Sequence, residues 1–159
     1  MIVNSQGGLL NTVKHTAGFE MSQPVDKLFQ LFSPEGEKLW VPGWDYENIT
    51  GSTELCEDYI FLTKNHDHAS TAAIWLVKRY DPESYLVQFY KVEPEDKVGI
   101  VTVQCSKKAE NVTHVEVSYE YVGLTEKGRN FIDAFTHDKY KKFIDGWKDL
   151  LGKYYESHL

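Results

Sequence analysis

No stretch of this chain approaches the roughly 18–20 consecutive apolar residues that a membrane span requires, so no membrane-spanning segment is expected. The opening segment MIVNSQGGLLNTVKH also lacks a basic region followed by an apolar one, the pattern of a secretory leader. The expectation is a cytoplasmic protein, and without a leader the two sequons at Asn48 and Asn111 carry little weight. Cysteine is scarce: Cys56 and Cys105 stand far apart with no Cys-x-x-Cys spacing, which in a reducing compartment suits two buried or partly buried thiols. Positive charge is in short supply, with 17 Lys and Arg against 24 Asp and Glu and a net charge of −7. Binding along a phosphate backbone needs a concentrated basic face. Lys107-Lys108 and the group Lys139, Lys141 and Lys142 have acids nearby and read as solvated faces, so no nucleic-acid partner is expected. There is no Gly-x-Ser-x-Gly elbow, no glycine-rich phosphate cradle and no cysteine beside an identifiable base. Nucleophilic catalysis therefore finds no support, and no cofactor is implied. Repeats, linkers and low-complexity segments are absent too, and 159 residues fit one domain spanning 1–159.

What the chain does have is aromatic mass, 14% of residues within a hydrophobic fraction of 42%, enough for a sizeable core. TVKHTAGFEM has the mixed β-branched and aromatic character of a strand, expected over Leu9–Met21. Ser22 is placed to cap a helix with Pro24 in its first turn, and Val25, Leu28, Phe29 and Phe32 follow on one helical face. Ser33-Pro34 stops that helix and starts a second short one, which Pro42 and Gly43 end.

From Tyr46 onward six strands are expected, at Glu47–Leu55, Tyr59–Lys64, Thr71–Tyr80, Tyr85–Val92, Val98–Ser106 and Val112–Val122, with turn residues between them. Short joints between neighbours imply hairpins and an antiparallel meander. In the last strand Val115, Val117, Tyr119 and Tyr121 alternate with His114, Glu116, Ser118 and Glu120, giving one buried and one wet face. The two strands before it are apolar at both parities in places, which leaves their faces open. After Gly123 a helical stripe of Tyr140, Phe143, Ile144, Trp147, Leu150, Leu151 and Tyr154 runs toward the end. A single helix from Thr125 to Ser157 would measure about 50 Å at 1.5 Å per residue, so a break is expected near Thr136–Asp138. Helices gathered on one face of an antiparallel sheet make an α+β domain.

The order of elements, together with PVDKLFQLFSPEGEKLWVPGW, TAAIWLVKRYDPE and YVGLTEKGRNFIDAF, resembles the START-like or Bet v 1-like superfamily (SRPBCC), which includes the birch-pollen allergen, polyketide cyclases and lipid-transfer domains. The resemblance runs from about Lys14 to Tyr155 and is closest to an uncharacterised bacterial branch. It implies the helix-grip fold: a curved antiparallel sheet of about seven strands wrapped around a long C-terminal helix, with two short helices after the first strand. It also implies a cavity between sheet and helix. Trp40, Trp44 and the hairpin from Asn65 to Ser70 would then form the gate region. Trp75, Tyr90, Tyr119, Tyr121, Phe131, Phe135, Tyr140 and Phe143 would supply the walls. No catalytic motif of the superfamily is present to carry over.

Several residues invite chemistry on their own account. His66 and His68 flank Asp67, and on an extended segment their imidazoles point the same way and could share a metal. Three or four ligands are needed, and no second cluster is placed to complete the set. A polar hairpin turn with His66 or His68 at the cavity mouth is therefore expected, and no metal. Arg79 shares the parity of Trp75 and either anchors a ligand carboxylate or sits on the solvent face beside an acid. The inward tyrosines Tyr119 and Tyr121 either orient a polar ligand or fill the core, whereas Trp147, Leu150 and Leu151 read as pure core. Asp45 and Glu47 read as an exposed acidic turn. The leading expectation is a module that binds a small hydrophobic or aromatic molecule, with Trp40 and Trp44 as plug or gate. A cyclase- or dehydratase-type enzyme using a tyrosine or histidine, and a protein-interaction module using the outer sheet face, are the alternatives.

Overall fold

The computed structural model describes residues 11–64 and 72–158. In chain order its elements are β1 (Thr12–Met21), α1 (Val25–Phe29), α2 (Pro34–Glu37), β2 (Glu47–Asn48), β3 (Ile60–Thr63), β4 (Ala73–Asp81), β5 (Leu86–Glu93), β6 (Lys97–Ala109), β7 (Val112–Gly123), α3 (Glu126–Ala134) and α4 (His137–Glu156). The strands form one sheet in the order β1-β7-β6-β5-β4-β3-β2, antiparallel at every pairing. From β2 to β7 it is the expected meander. β1 returns to the far side of β7, with Thr12 opposite Val122 and Met21 opposite Thr113.

Local chemistry explains where the observed boundaries depart from those expected. α1 is capped by Pro24 rather than Ser22: the Leu28 amide donates to the Pro24 carbonyl, and no side chain caps the helix. α2 begins as expected, with Ser33 Oγ accepting from the Gly36 amide at 2.9 Å. β2 ends at Asn48 instead of running to Leu55, because Asn48 Oδ1 accepts from the Gly51 amide at 2.8 Å and Gly51 sits at φ +82°. That side-chain turn takes the backbone out of the ladder. Cys56 is exposed, contrary to the expected burial. Cys105 is buried, and desolvation pushes its thiol up to about 12, which removes it as a nucleophile near neutral pH.

The faces of β5 and β6, ambiguous in the sequence, are resolved by register. Val87, Phe89, Lys91 and Glu93 of β5, and Lys97, Gly99, Val101, Val103 and Cys105 of β6, point inward. Between Val77 and Arg79 the register of β4 shifts at a bulge, and this turns the strand's later residues to the opposite parity.

α3 and α4 meet at Phe135–Thr136, close to the expected break. Thr136 Oγ1 accepts from the Lys139 amide to start α4. The His15 imidazole Nε2 lies 2.7 Å from the Phe135 carbonyl, and its ring packs on Phe135 and Tyr140. His15 thus ties β1 to the helix junction. His15→Ala is expected to lower stability by about 1–2 kcal/mol, the worth of one hydrogen bond plus aromatic contact. Amide exchange should accelerate at residues 135–140; a variant with unchanged exchange there would show that the junction holds without His15. Among the described residues no helix is long and apolar enough to cross a membrane.

Candidate functional site

The segment after α2 carries the two tryptophans inward and fixes them by their indole N–H groups. Trp40 Nε1 donates to the Leu31 carbonyl and Trp44 Nε1 to the Pro34 carbonyl, each at 2.8 Å. Trp40 meets Phe32 and, across the molecule, Trp147 of α4, with ring centroids 5.8 and 5.5 Å apart. Trp44 lies edge-on to Phe61 and Trp75, both at 6.4 Å. Between this segment and α4 is a cleft of about 480 Å³ walled by Trp40, Val41, Trp44, Phe143, Trp147 and Leu150. Trp147 is core as expected, buried and packed on Tyr119 of the sheet, and its other side borders the cleft; Leu150, expected as pure core, is half-buried in the cleft wall. The volume falls within the roughly 300–1,000 Å³ typical of small-molecule sites.

Two other clefts flank α2. One of about 980 Å³ touches Phe29, Leu39, Tyr80 and Tyr155. Another of about 440 Å³ touches Glu35, Tyr46 and Tyr59. Tyr46 donates to the Glu35 carboxylate at 2.6 Å, and that bond together with Lys38 holds the Glu35 carboxyl below its ordinary range. Both are more polar than the tryptophan cleft.

That inner face is organised in cross-strand rows. At the level of Trp44, one row runs Phe61, Trp75, Lys91, Gly99, Tyr121 and Val13 across β3, β4, β5, β6, β7 and β1. Trp75 is held at both ends of its side chain. Its Nε1 donates to Thr63 Oγ1 at 2.8 Å, and its ring stacks on Phe61 at 5.5 Å with an interplanar angle of 10°. Gly99 is required by the close approach of Tyr121, since a β-carbon there would lie 2.8 Å from Tyr121 Cε1. Over the β7 end of the row, Tyr121 meets Phe131 and Phe135 of the α3 segment. Tyr119, one row along, meets Tyr140, Phe143 and Trp147 of α4. Tyr140 Oη donates to the Val117 carbonyl at 2.5 Å, and burial raises its phenol above the ordinary tyrosine range.

Into this aromatic interior the β5–β6 hairpin places four charged side chains. Lys91, Glu93, Asp96 and Lys97 are all buried, with Lys91 and Glu93 at 0% exposure. Lys97 Nζ lies 3.2 Å from Glu93 Oε2 and 3.6 Å from Asp96 Oδ2, and 4.1 Å from the centroid of the Phe131 ring. Lys91 Nζ lies 3.9 Å from Glu93 Oε1 and 5.3 Å from the Trp75 ring centroid. Sequence reasoning passed over this cluster. Its signal was the parity of Lys91 and Glu93, which match Val87 and Phe89 rather than the outward Tyr90 and Val92.

The structure therefore brings Trp40, Trp44 and Phe143 together at the cleft. It gathers Tyr119, Tyr121, Phe131, Phe135 and Tyr140 in one aromatic cluster of the interior, and packs Trp75 with Phe61 and Trp44. Two expected wall or anchor residues lie elsewhere. Tyr90 is on the outer face of β5 with Lys78 over its ring at 5.1 Å, and the β4 bulge turns Arg79 to the exposed outer face opposite Gln88. His66 and His68 lie outside the described residues. Among the described residues no three His, Cys, Asp or Glu side chains are grouped to hold a metal ion. Asp45 and Glu47 are exposed, as an acidic turn would be.

Neither protein-family models nor the curated proteins give a match to this chain. Solved structures do. Norcoclaurine synthase from Thalictrum flavum, in complex with dopamine and hydroxybenzaldehyde, superposes with a TM-score of 0.65 at 15% identity, over 91% of this chain and 88% of that one. Major latex-like protein 151 from Panax ginseng gives 0.64 at 18%, over 92% and 97%. Protein MLL2253 from Mesorhizobium loti gives 0.61 at 15%, over 89% and 97%. Likeness at such identities speaks to architecture alone, and it agrees with the sheet order and paired terminal helices above. The chain has the helix-grip fold of the START-like and Bet v 1-like proteins.

Proposed function

We propose that this protein is a single-domain, cytoplasmic module that binds one small hydrophobic or aromatic molecule between the sheet and α4, taken in through the tryptophan cleft. The cleft carries this reading: it is an apolar concavity of ligand size walled by rings from the segment after α2 and from α4, and one of those rings, Trp44, packs on Trp75 of the sheet. That norcoclaurine synthase holds small aromatic molecules on the same fold is consistent with such a use. In this reading Trp40 closes the floor of the cleft against Trp147, and Trp44 separates it from Trp75. The two rings are a gate that rests shut.

The test is a titration with N-phenyl-1-naphthylamine, whose emission rises in an apolar site. Saturable one-site binding is expected, and Trp44→Ala should weaken it about tenfold, the scale of one lost aromatic contact. Equal affinity in Trp40→Ala and Trp44→Ala would take both residues out of the site.

A second reading, an enzyme of the cyclase or dehydratase type in the same space, is favoured by one observation. Lys91, Glu93 and Lys97 converge on the interior beside the Tyr121 ring, which is the kind of grouping general acid–base chemistry needs. The residues in question are lysines and a carboxylate rather than the histidine or tyrosine expected from the sequence.

A further inference from the structure

We propose that Gly146 sets the size of ring system that the tryptophan cleft admits, so that a ligand with several aromatic rings seats one of them on the bare backbone of α4; this rests on the ligand-binding reading above. α4 contributes Lys142, Phe143, Gly146, Trp147 and Leu150 to the cleft wall. Successive helical residues stand about 100° apart around the axis, which spreads these five over an arc of about 140°. Gly146 falls within that arc, with Lys142 on one side of it and Leu150 and Phe143 on the other. A side chain at this position would project into the cleft.

Nothing in the fold requires glycine there. A β-carbon built on Gly146 meets no atom within 4 Å, in contrast to Gly99 and Gly128, where the Tyr121 ring and the Asp96 backbone stand in the way. Its φ is not among the positive ones, so alanine fits the same helical backbone. Glycine inside a helix is destabilising relative to alanine, because it loses more conformational freedom on folding. A local rule broken without a gain to the fold is expected at functional positions. Gly152 of the same helix is equally open, so openness alone does not single out Gly146. Placement does, since Gly152 lies outside the arc and outside the wall of the cleft.

The missing side chain leaves room where the walls are richest in rings. Phe143 and Trp147 stand 5.7 Å apart on α4, and Trp40 and Trp44 face them from the segment after α2. Helical side chains lean toward the N-terminus, so a substituent at position 146 would cover the space beside Lys142 and Phe143. A ring lying on the bare backbone has that space to itself and meets indoles or phenyl groups at its faces and edges.

The experiment titrates N-phenyl-1-naphthylamine and 1-naphthylamine, the same head without the extra ring, into the full chain and three variants. Gly146→Ala should weaken binding of the larger compound about tenfold, the scale of one methyl group too many in an apolar pocket, and of the smaller one less. Gly146→Leu should abolish binding of the larger compound. The thermal midpoint should rise by a few degrees in both Gly146→Ala and Gly152→Ala, with Gly152→Ala binding both compounds as the wild type does. A more stable Gly146→Ala chain with undiminished affinity, equal losses for the two compounds, or the same loss in Gly152→Ala overturns the proposal and leaves ligand binding standing. Failure of the wild type to bind either compound overturns the ligand-binding reading with it.

Discussion

Glu93→Leu is expected to lower the unfolding free energy by about 3–5 kcal/mol, the cost of removing one partner from a buried ion pair. Glu93 stands between two lysines, 3.2 Å from Lys97 and 3.9 Å from Lys91, and all three side chains are sealed from water. Its loss takes away the carboxylate that Lys91 and Lys97 share, leaving Asp96 beside Lys97. The combined variant Lys91→Met, Glu93→Leu, Asp96→Asn and Lys97→Met removes the charges together, so no ion is left without its counterpart. Its stability should lie within about 1 kcal/mol of the wild type or above it. Urea unfolding checks both, and the pattern separates two origins for the cluster. If the combined variant is as unstable as Glu93→Leu, the charges hold the fold together. If it is as stable as the wild type, the fold does not depend on them.

Gly128→Ala is expected to be almost as damaging, at roughly 3 kcal/mol or more, through steric conflict with backbone atoms that cannot swing aside. A β-carbon at this position would lie 1.8 Å from the Asp96 carbonyl oxygen and 2.7 Å from its carbon. The contact exists because the first turn of α3 sits directly on the β5–β6 turn. The Leu124 amide donates to the Asp96 carbonyl at 2.9 Å, and Thr125 Oγ1 donates to the Glu95 carbonyl at 3.0 Å. An added methyl group forces that seat apart. The same displacement carries Phe131 away from Lys97, so the variant should also disturb the interior charges. A thermal midpoint within one or two degrees of the wild type would mean that α3 is not seated on this turn.

Much of the architecture was legible because it depends on local chemistry. The strict alternation of Val115, Val117, Tyr119 and Tyr121 identified the inner face of β7, and the stripe from Tyr140 to Tyr154 identified the helix that covers it. The excessive length of a single helix predicted the break that Thr136 caps. Other features depend on partners distant in sequence. Nothing local shows that β1 lies beside β7. The side-chain turn at Asn48 cut short a strand whose β-branched composition argued for more. The bulge after Val77 inverted the parity on which the reading of Arg79 depended, and a bulge leaves little trace in composition.

The site was legible in part for the same reasons. Trp40 and Trp44 drew notice because two tryptophans in one short proline- and glycine-bearing stretch are unusual, and they wall the cleft with Phe143. Leu150 was assigned to pure core because periodicity marks the apolar side of a helix without saying how much of it the sheet covers. The charge cluster was passed over because Lys91, Glu93 and Lys97 look like a solvated hairpin until the register shows which way they point. Tyr90 was placed inside for the complementary reason, since a tyrosine in an apolar strand looks buried.

Native mass spectrometry of freshly purified protein tests most directly whether the tryptophan cleft serves a bound molecule. A working site should yield a population heavier than the polypeptide by one small molecule. That added mass should disappear under denaturing conditions and be depleted in Trp44→Ala. Wild-type protein that shows only the bare chain, and stays bare after incubation with N-phenyl-1-naphthylamine, would contradict the ligand-binding role of this fold.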